Sequence, residues 1–158
     1  MTLEKFLYPD AVVNNLRAGS KKTALSKLAE LAAIQAGMDD TFPICQALAE
    51  RERLGSTGIG EGVALPHAKV EGLDRLILTF AHLAEPVDFD AADDEPVDLI
   101  AAVLMPDTEG QQAEYLKVLA KLSRRLKDPA ARAQIRGANS AAAIFALLVD
   151  EGHHQAAA

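Results

Sequence analysis

Residues 97–105 read Val-Asp-Leu-Ile-Ala-Ala-Val-Leu-Met, with one charge near the start and none after it. A strand with one wet face alternates polar and apolar side chains. A run without that alternation fits an inner strand enclosed by other layers. Residues 76–83 (Leu-Ile-Leu-Thr-Phe-Ala-His-Leu) alternate as a second strand, and residues 11–16 (Ala-Val-Val-Asn-Asn-Leu) are predicted to form a short one.

Helices account for the rest of the pattern. Over residues 21–36, Leu25, Leu28, Ala29 and Ala32 recur at helical spacing, and Gly37 is a natural stop. A second helix is predicted from about Thr41 as N-cap, with Pro43 in its first turn and Gly55 closing it. Arg51 then falls in the last turn, where a cation suits the helix dipole and reaches the next loop. Thr108 and Gln111 have capping-box spacing ahead of a helix whose face is Tyr115, Leu119, Leu122 and Leu126. Asp128 before Pro129 opens a short helix, and Asn139 or Ser140 caps a last one running through Ile144 and Leu148. This order describes one α/β domain over residues 1–150, with helices packed on a mixed sheet and a flexible tail at 151–158.

Composition narrows the function. The 158 residues carry 16 Lys and Arg against 23 Asp and Glu, a formal charge of −7, and no basic block. Nucleic-acid backbones require clustered cations, so no nucleic-acid partner is expected. Aromatic residues at 4% and the lack of Trp imply an aliphatic core. The lone cysteine, Cys45, forms no internal disulfide, sits at helical spacing with Leu48 as a core residue, and fits a reducing cytoplasm. No stretch approaches the roughly 18 apolar residues of a membrane span, and the N-terminus lacks a signal-peptide pattern, so neither membrane insertion nor export is expected.

The segment 55–68 (Gly-Ser-Thr-Gly-Ile-Gly-Glu-Gly-Val-Ala-Leu-Pro-His-Ala) is the unusual one. It is not a P-loop, because Glu61, Gly62 and Val63 stand where Gly-Lys-Ser/Thr is needed, and its G-x-G-x-G spacing is not the dinucleotide fingerprint. Glycines do let backbone N–H groups converge on an anion, and Ser56 and Thr57 add hydroxyls beside Gly55 and Gly58. Pro66 holds Leu65 extended and stiffens the approach to His67. A neutral imidazole carries one ring nitrogen with a free lone pair, which attacks phosphorus and holds a phosphoryl group. The resulting charge suits N–H groups, hydroxyls and the bidentate guanidinium of Arg51. The residues alone also allow a structural His67 whose ring merely binds a carbonyl.

Arg51, Glu52, Arg53 and the string LGSTGIGEGVALPHAK that follows resemble the active-site segment of bacterial phosphotransferase-system enzyme IIA proteins, most closely the nitrogen-regulatory, PtsN-type group of the fructose/mannitol enzyme IIA family. The resemblance continues through residues 84–106 (AEPVDFDAADDEPVDLIAAVLMP) and 116–129 (LKVLAKLSRRLKDP), most of the chain. It implies a mixed sheet of four to five strands flanked by helices on both faces. It also implies that His67 accepts a phosphoryl group from a phosphorylated HPr-type carrier (NPr), that Arg51 binds that group, and that no cofactor or metal is needed. It further implies that phosphorylation controls binding to targets such as potassium transport proteins or sensor kinases.

One position departs from the family pattern: Tyr115 stands where a second active-site histidine is common. A phenol donates a hydrogen bond but carries no positive charge near neutral pH, and Tyr115 equally suits the core face of its helix. Among the other histidines, His82 lies on the Leu76, Leu78, Phe80 side of its strand and is a lesser candidate, while His153 and His154 fall in the tail. No Cys or His spacing suggests zinc. The acidic run Asp88–Asp98 reads as a solvated turn able to steer a basic surface. Rival readings are a sugar-specific enzyme IIA feeding a permease component and a non-phosphorylated binding domain of the same fold. A hydrolase is weakest, since no Ser or Cys has an activating constellation.

Overall fold

Ser20 opens the first helix: its hydroxyl accepts the Thr23 amide at 3.1 Å, and Gly37 closes it in the left-handed region at φ 69°. The computed structural model describes residues 3–150, and the tail expected at 151–158 lies outside them. Two 3₁₀ turns, Leu3–Lys5 and Pro9–Ala11, lead into β1 (Val12–Leu16), followed by α1 (Lys21–Ala36) and α2 (Phe42–Arg53). Then come β2 (Gly58–Gly60), β3 (Val63–Ala64), β4 (His67–Val70), β5 (Ile77–Val87) and β6 (Val97–Pro106). The chain finishes in α3 (Gln112–Lys127), α4 (Pro129–Gly137) and α5 (Ala141–Val149).

The strands form a mixed six-stranded sheet ordered β1-β5-β6-β3-β2, with β4 also paired to β6. β5 and β6 run antiparallel, whereas β1 pairs parallel with β5, and both β3 and β4 pair parallel with β6. β6 is therefore interior, and its residues Leu99 to Met105 are at most 2% exposed, as the unbroken apolar run requires. Helices cover both faces. Leu99, Ala101, Val103 and Met105 pack with Tyr115, Val118 and Leu122 of α3, Ile135 of α4 and Ile144 of α5. Ile100 and Ala102 meet Ala24 and Leu28 of α1, and Leu104 meets Ala29, Ala32 and Ile44. Each Leu or Ile buried in this way contributes about 1.5–3 kcal/mol.

Three expectations need correction. The sheet has six strands rather than four to five, because the Gly-rich segment supplies β2, β3 and β4, each too short to show a period. The Thr108–Gln111 capping box does not form: Gly110 turns the chain at φ 103°, and α3 begins only at Gln112 with no side-chain cap on its first turn. Thr41 does not cap α2 either: its backbone is already helical and its side chain makes no capping bond, while the Asp40 carboxylate accepts the Phe42 amide at 3.0 Å. Asp128 and Ser140 do cap their helices, the carboxylate accepting from the Ala130 amide and the hydroxyl from Ala143, both at 3.1 Å.

Candidate functional site

The last turn of α2 delivers Arg51 to the loop that follows. Its guanidinium donates to the Gly55 carbonyl at 2.9 Å, and Gly55 itself sits at φ 149°. The loop is pinned on its far side. Ser56 donates its hydroxyl to the Phe89 carbonyl and accepts the Gly58 amide at 3.0 Å. A Cβ on Gly58 would lie 2.7 Å from the Ala91 side chain, so the close approach of these segments requires glycine. Thr57 is 4% exposed, and both its amide (3.2 Å) and its hydroxyl donate to the Glu52 carboxylate. As the loop stands, the Ser56 and Thr57 hydroxyl protons are used to shape it.

β2 and β3 are joined at Glu61 and Gly62, both at positive φ, a turn that matches the twist of its strands. The Asp93 carboxylate accepts the Glu61 amide at 2.9 Å and the Glu95 amide at 3.1 Å. These bonds hold its carboxyl below the ordinary 3.8, the Glu61 amide contributing most. The acidic run is thus more than a solvated turn: Phe89 and Ala91 are buried within it and brace the loop.

His67 begins β4, in register with Val103 of β6, and the Val103 amide donates to the Pro66 carbonyl at 2.9 Å. The ring nitrogen Nδ1 lies 2.7 Å from the Leu65 carbonyl oxygen. A carbonyl oxygen only accepts, so Nδ1 carries the proton, and in the neutral ring Nε2 is left with the lone pair. The half-buried ring lies 6.2 Å, centroid to centroid, from Tyr115, tilted by 56°. Burial pushes the Tyr115 phenol up to about 12, against the opposing field of Arg51. The Tyr115 ring belongs to the core under α3. Imidazole, guanidinium and phenol are therefore gathered in one place.

His82 is not part of that group. It pairs with Leu99, four residues from Val103 along β6, so it lies on the opposite side of β6 from His67 and is offset by about 13 Å along that strand. Its Nδ1 lies 3.0 Å from Asn14 Oδ1 and its Nε2 3.7 Å from Asp98, whose carboxylate is also gripped by Arg136. Glu52 is the site residue that the sequence reading passed over. Its signal was a carboxylate in the last turn of a helix, where the dipole disfavours it unless it has a dedicated partner. Among the described residues, no group of three or more His, Cys, Asp or Glu side chains is placed to hold a metal ion, and no helix is long and apolar enough to cross a membrane.

Comparison with known proteins fits this geometry. The family described as "Phosphoenolpyruvate-dependent sugar phosphotransferase system, EIIA 2" matches residues 5–151. A nitrogen regulatory protein of Bradyrhizobium diazoefficiens is 38% identical over 148 residues, 94% of this chain and 95% of that protein. A fructose-specific EIIA component of Haloferax volcanii is 36% identical over 121 residues, 77% of each chain. The crystal structure of nitrogen regulatory protein IIA-Ntr from Neisseria meningitidis matches with a TM-score of 0.86 at 32% identity, covering 92% of this chain and 98% of that one. The chain belongs to the EIIA type-2 family of the phosphoenolpyruvate-dependent sugar phosphotransferase system.

Proposed function

We propose that this protein is a cytoplasmic phosphoryl-accepting regulator of the nitrogen branch of the phosphotransferase system, with His67 Nε2 as the acceptor atom. The observation that carries this is the 2.7 Å contact between Nδ1 and the Leu65 carbonyl, which leaves the outer nitrogen nucleophilic. The donor is the phosphohistidine of an HPr-type carrier such as NPr. Nε2 attacks phosphorus in line; the new N–P bond forms as the carrier's N–P bond breaks, and the electron pair of that bond leaves with the carrier's imidazole. The ring of His67 becomes cationic as it bonds phosphorus, and the Leu65 carbonyl stabilises that charge through Nδ1–H. Arg51 balances the phosphoryl oxygens.

Docking of a carrier is supported by apolar side chains left in water around these residues. Leu54, Ile59 and Leu116 are 85%, 38% and 59% exposed and neighbour Arg51, Gly58 and Tyr115 in sequence. The Tyr115 phenol keeps its proton throughout the neutral range and serves as a donor to the transferred group. A hydrogen bond to a charged group contributes about 1.5–3 kcal/mol, so Tyr115→Phe is expected to slow phosphoryl acceptance about tenfold. An unchanged rate in a rapid-quench assay would return Tyr115 to a purely packing role. Phosphorylation adds close to two negative charges to an already acidic surface, which alters binding to targets such as potassium transport proteins or sensor kinases.

Incubation with phosphoenolpyruvate, enzyme I and the carrier tests the proposal: an acid-labile, base-stable adduct is expected. Its absence would leave a binding domain that retains the fold without the chemistry. The identity with a fructose-specific EIIA component favours a second reading, a sugar-specific phosphoryl donor to a permease component. Gene deletion separates the two, since a regulator leaves growth on each single phosphotransferase sugar intact.

A further inference from the structure

We infer that Glu52, held by Lys21, is a positioning residue for the His67 imidazole, acting through a continuous chain of hydrogen bonds. This rests on the reading of His67 as the acceptor and adds to it the group that fixes the ring. The chain starts at a largely buried ion pair. Lys21 Nζ lies 2.7 Å from Glu52 Oε1, with side-chain exposures of 21% and 7%. Glu52 accepts the Thr57 amide at 3.2 Å and the Thr57 hydroxyl on its other oxygen. The Thr57 carbonyl accepts the Leu65 amide at 3.0 Å, and the Leu65 carbonyl accepts Nδ1–H of His67 at 2.7 Å.

Every link is a donor facing an acceptor, and successive links are joined through the Cα atoms of Thr57 and Leu65, so the chain fixes position from one residue to the next. The carboxylate fixes the place of Thr57, the Thr57 carbonyl fixes Leu65, and Leu65 in turn fixes the ring that must present Nε2. Lys21 has a second grip on the same loop. It donates to the Phe89 carbonyl at 3.4 Å, the same oxygen that Ser56 binds, and lies 4.8 Å from the centre of the Phe89 ring. One cation thus ties the start of α1 to both walls of the loop between α2 and β2. A loop free to shift by about 1 Å would misplace the nucleophile enough to lose up to a hundredfold in rate.

Glu52→Gln keeps the shape and removes the charge and one of the acceptor oxygens. With the phosphorylated carrier as substrate, it is expected to slow transfer about tenfold while KM for the carrier is unchanged, because the docking residues are untouched. In ¹⁵N NMR of the unphosphorylated protein, the wild-type His67 ring is expected as a single Nδ1–H tautomer, and the Glu52→Gln ring as a mixture of both. A Glu52→Gln protein with wild-type rate and wild-type tautomer would overturn the positioning role. Should Glu52→Gln not fold, Lys21→Met is expected to change rate and tautomer in the same directions, and an unaffected Lys21→Met protein would overturn it equally. Wild-type protein that accepts no phosphoryl group would defeat the acceptor reading alone, because the tautomer comparison needs no phosphoryl donor.

Discussion

Replacing His67 with Ala is expected to abolish phosphoryl acceptance from the carrier while leaving the protein folded. The two consequences separate because the ring contributes very differently to each. To stability it gives one side-chain hydrogen bond, to Leu65, and partial packing against Tyr115 at the start of β4. A hydrogen bond of this kind contributes about 0.5–1.5 kcal/mol, and in a domain of this length about 1 kcal/mol moves the melting temperature by about 2–4 °C. To the chemistry it gives the one imidazole that, among the described residues, joins Arg51 and Tyr115, since His82 lies on β5, across β6 from β4 and about 13 Å along it, with its ring turned to Asn14 and Asp98. A small melting shift with full loss of labelling is the expected pair of results. Labelling that persists in His67→Ala would place the acceptor elsewhere.

Arg51→Ala is expected to slow acceptance about a hundredfold, and Arg51→Lys about tenfold, both measured as single-turnover transfer from the phosphorylated carrier. The guanidinium is anchored by one edge, through its bond to the Gly55 carbonyl, and its remaining donors supply the charge that the phosphoryl oxygens need. Removing one preorganised donor from developing negative charge costs about a hundredfold or more. Lysine keeps the charge but lacks the planar fork, so it cannot hold Gly55 and two phosphoryl oxygens together. Loss of the Gly55 bond also loosens the end of α2, a cost near that of one hydrogen bond and too small to explain a hundredfold effect. Equal rates for wild type and Arg51→Ala would remove Arg51 from the site.

The parts of this molecule that were legible in the sequence are those with a period or a cap. The unbroken apolar stretch of β6 marked an interior strand. Asp128 and Ser140 marked helix starts, and each side chain makes its capping bond, whereas Thr41 does not. The strands β2, β3 and β4 left no periodic trace, and they exist because β6 and the 88–91 segment accept them. Thr108 failed as a cap because Gly110 turns the chain first, a competition that local spacing does not reveal.

At the site, residue types were readable and their engagements were not. His67, Arg51 and Tyr115 stand together, yet the tautomer of His67 depends on Leu65, and nothing about a leucine in sequence signals that its carbonyl holds a ring. The same holds for Ser56 and Thr57, whose hydroxyls read as free donors and are occupied by Phe89 and Glu52.

The most direct measurement is heteronuclear ¹⁵N–³¹P NMR of the protein after phosphorylation by its carrier. Coupling of phosphorus to Nε2 of His67 is expected, because Nδ1 remains bound to the Leu65 carbonyl. Phosphorus bonded to Nδ1, or to any residue other than His67, would contradict the account.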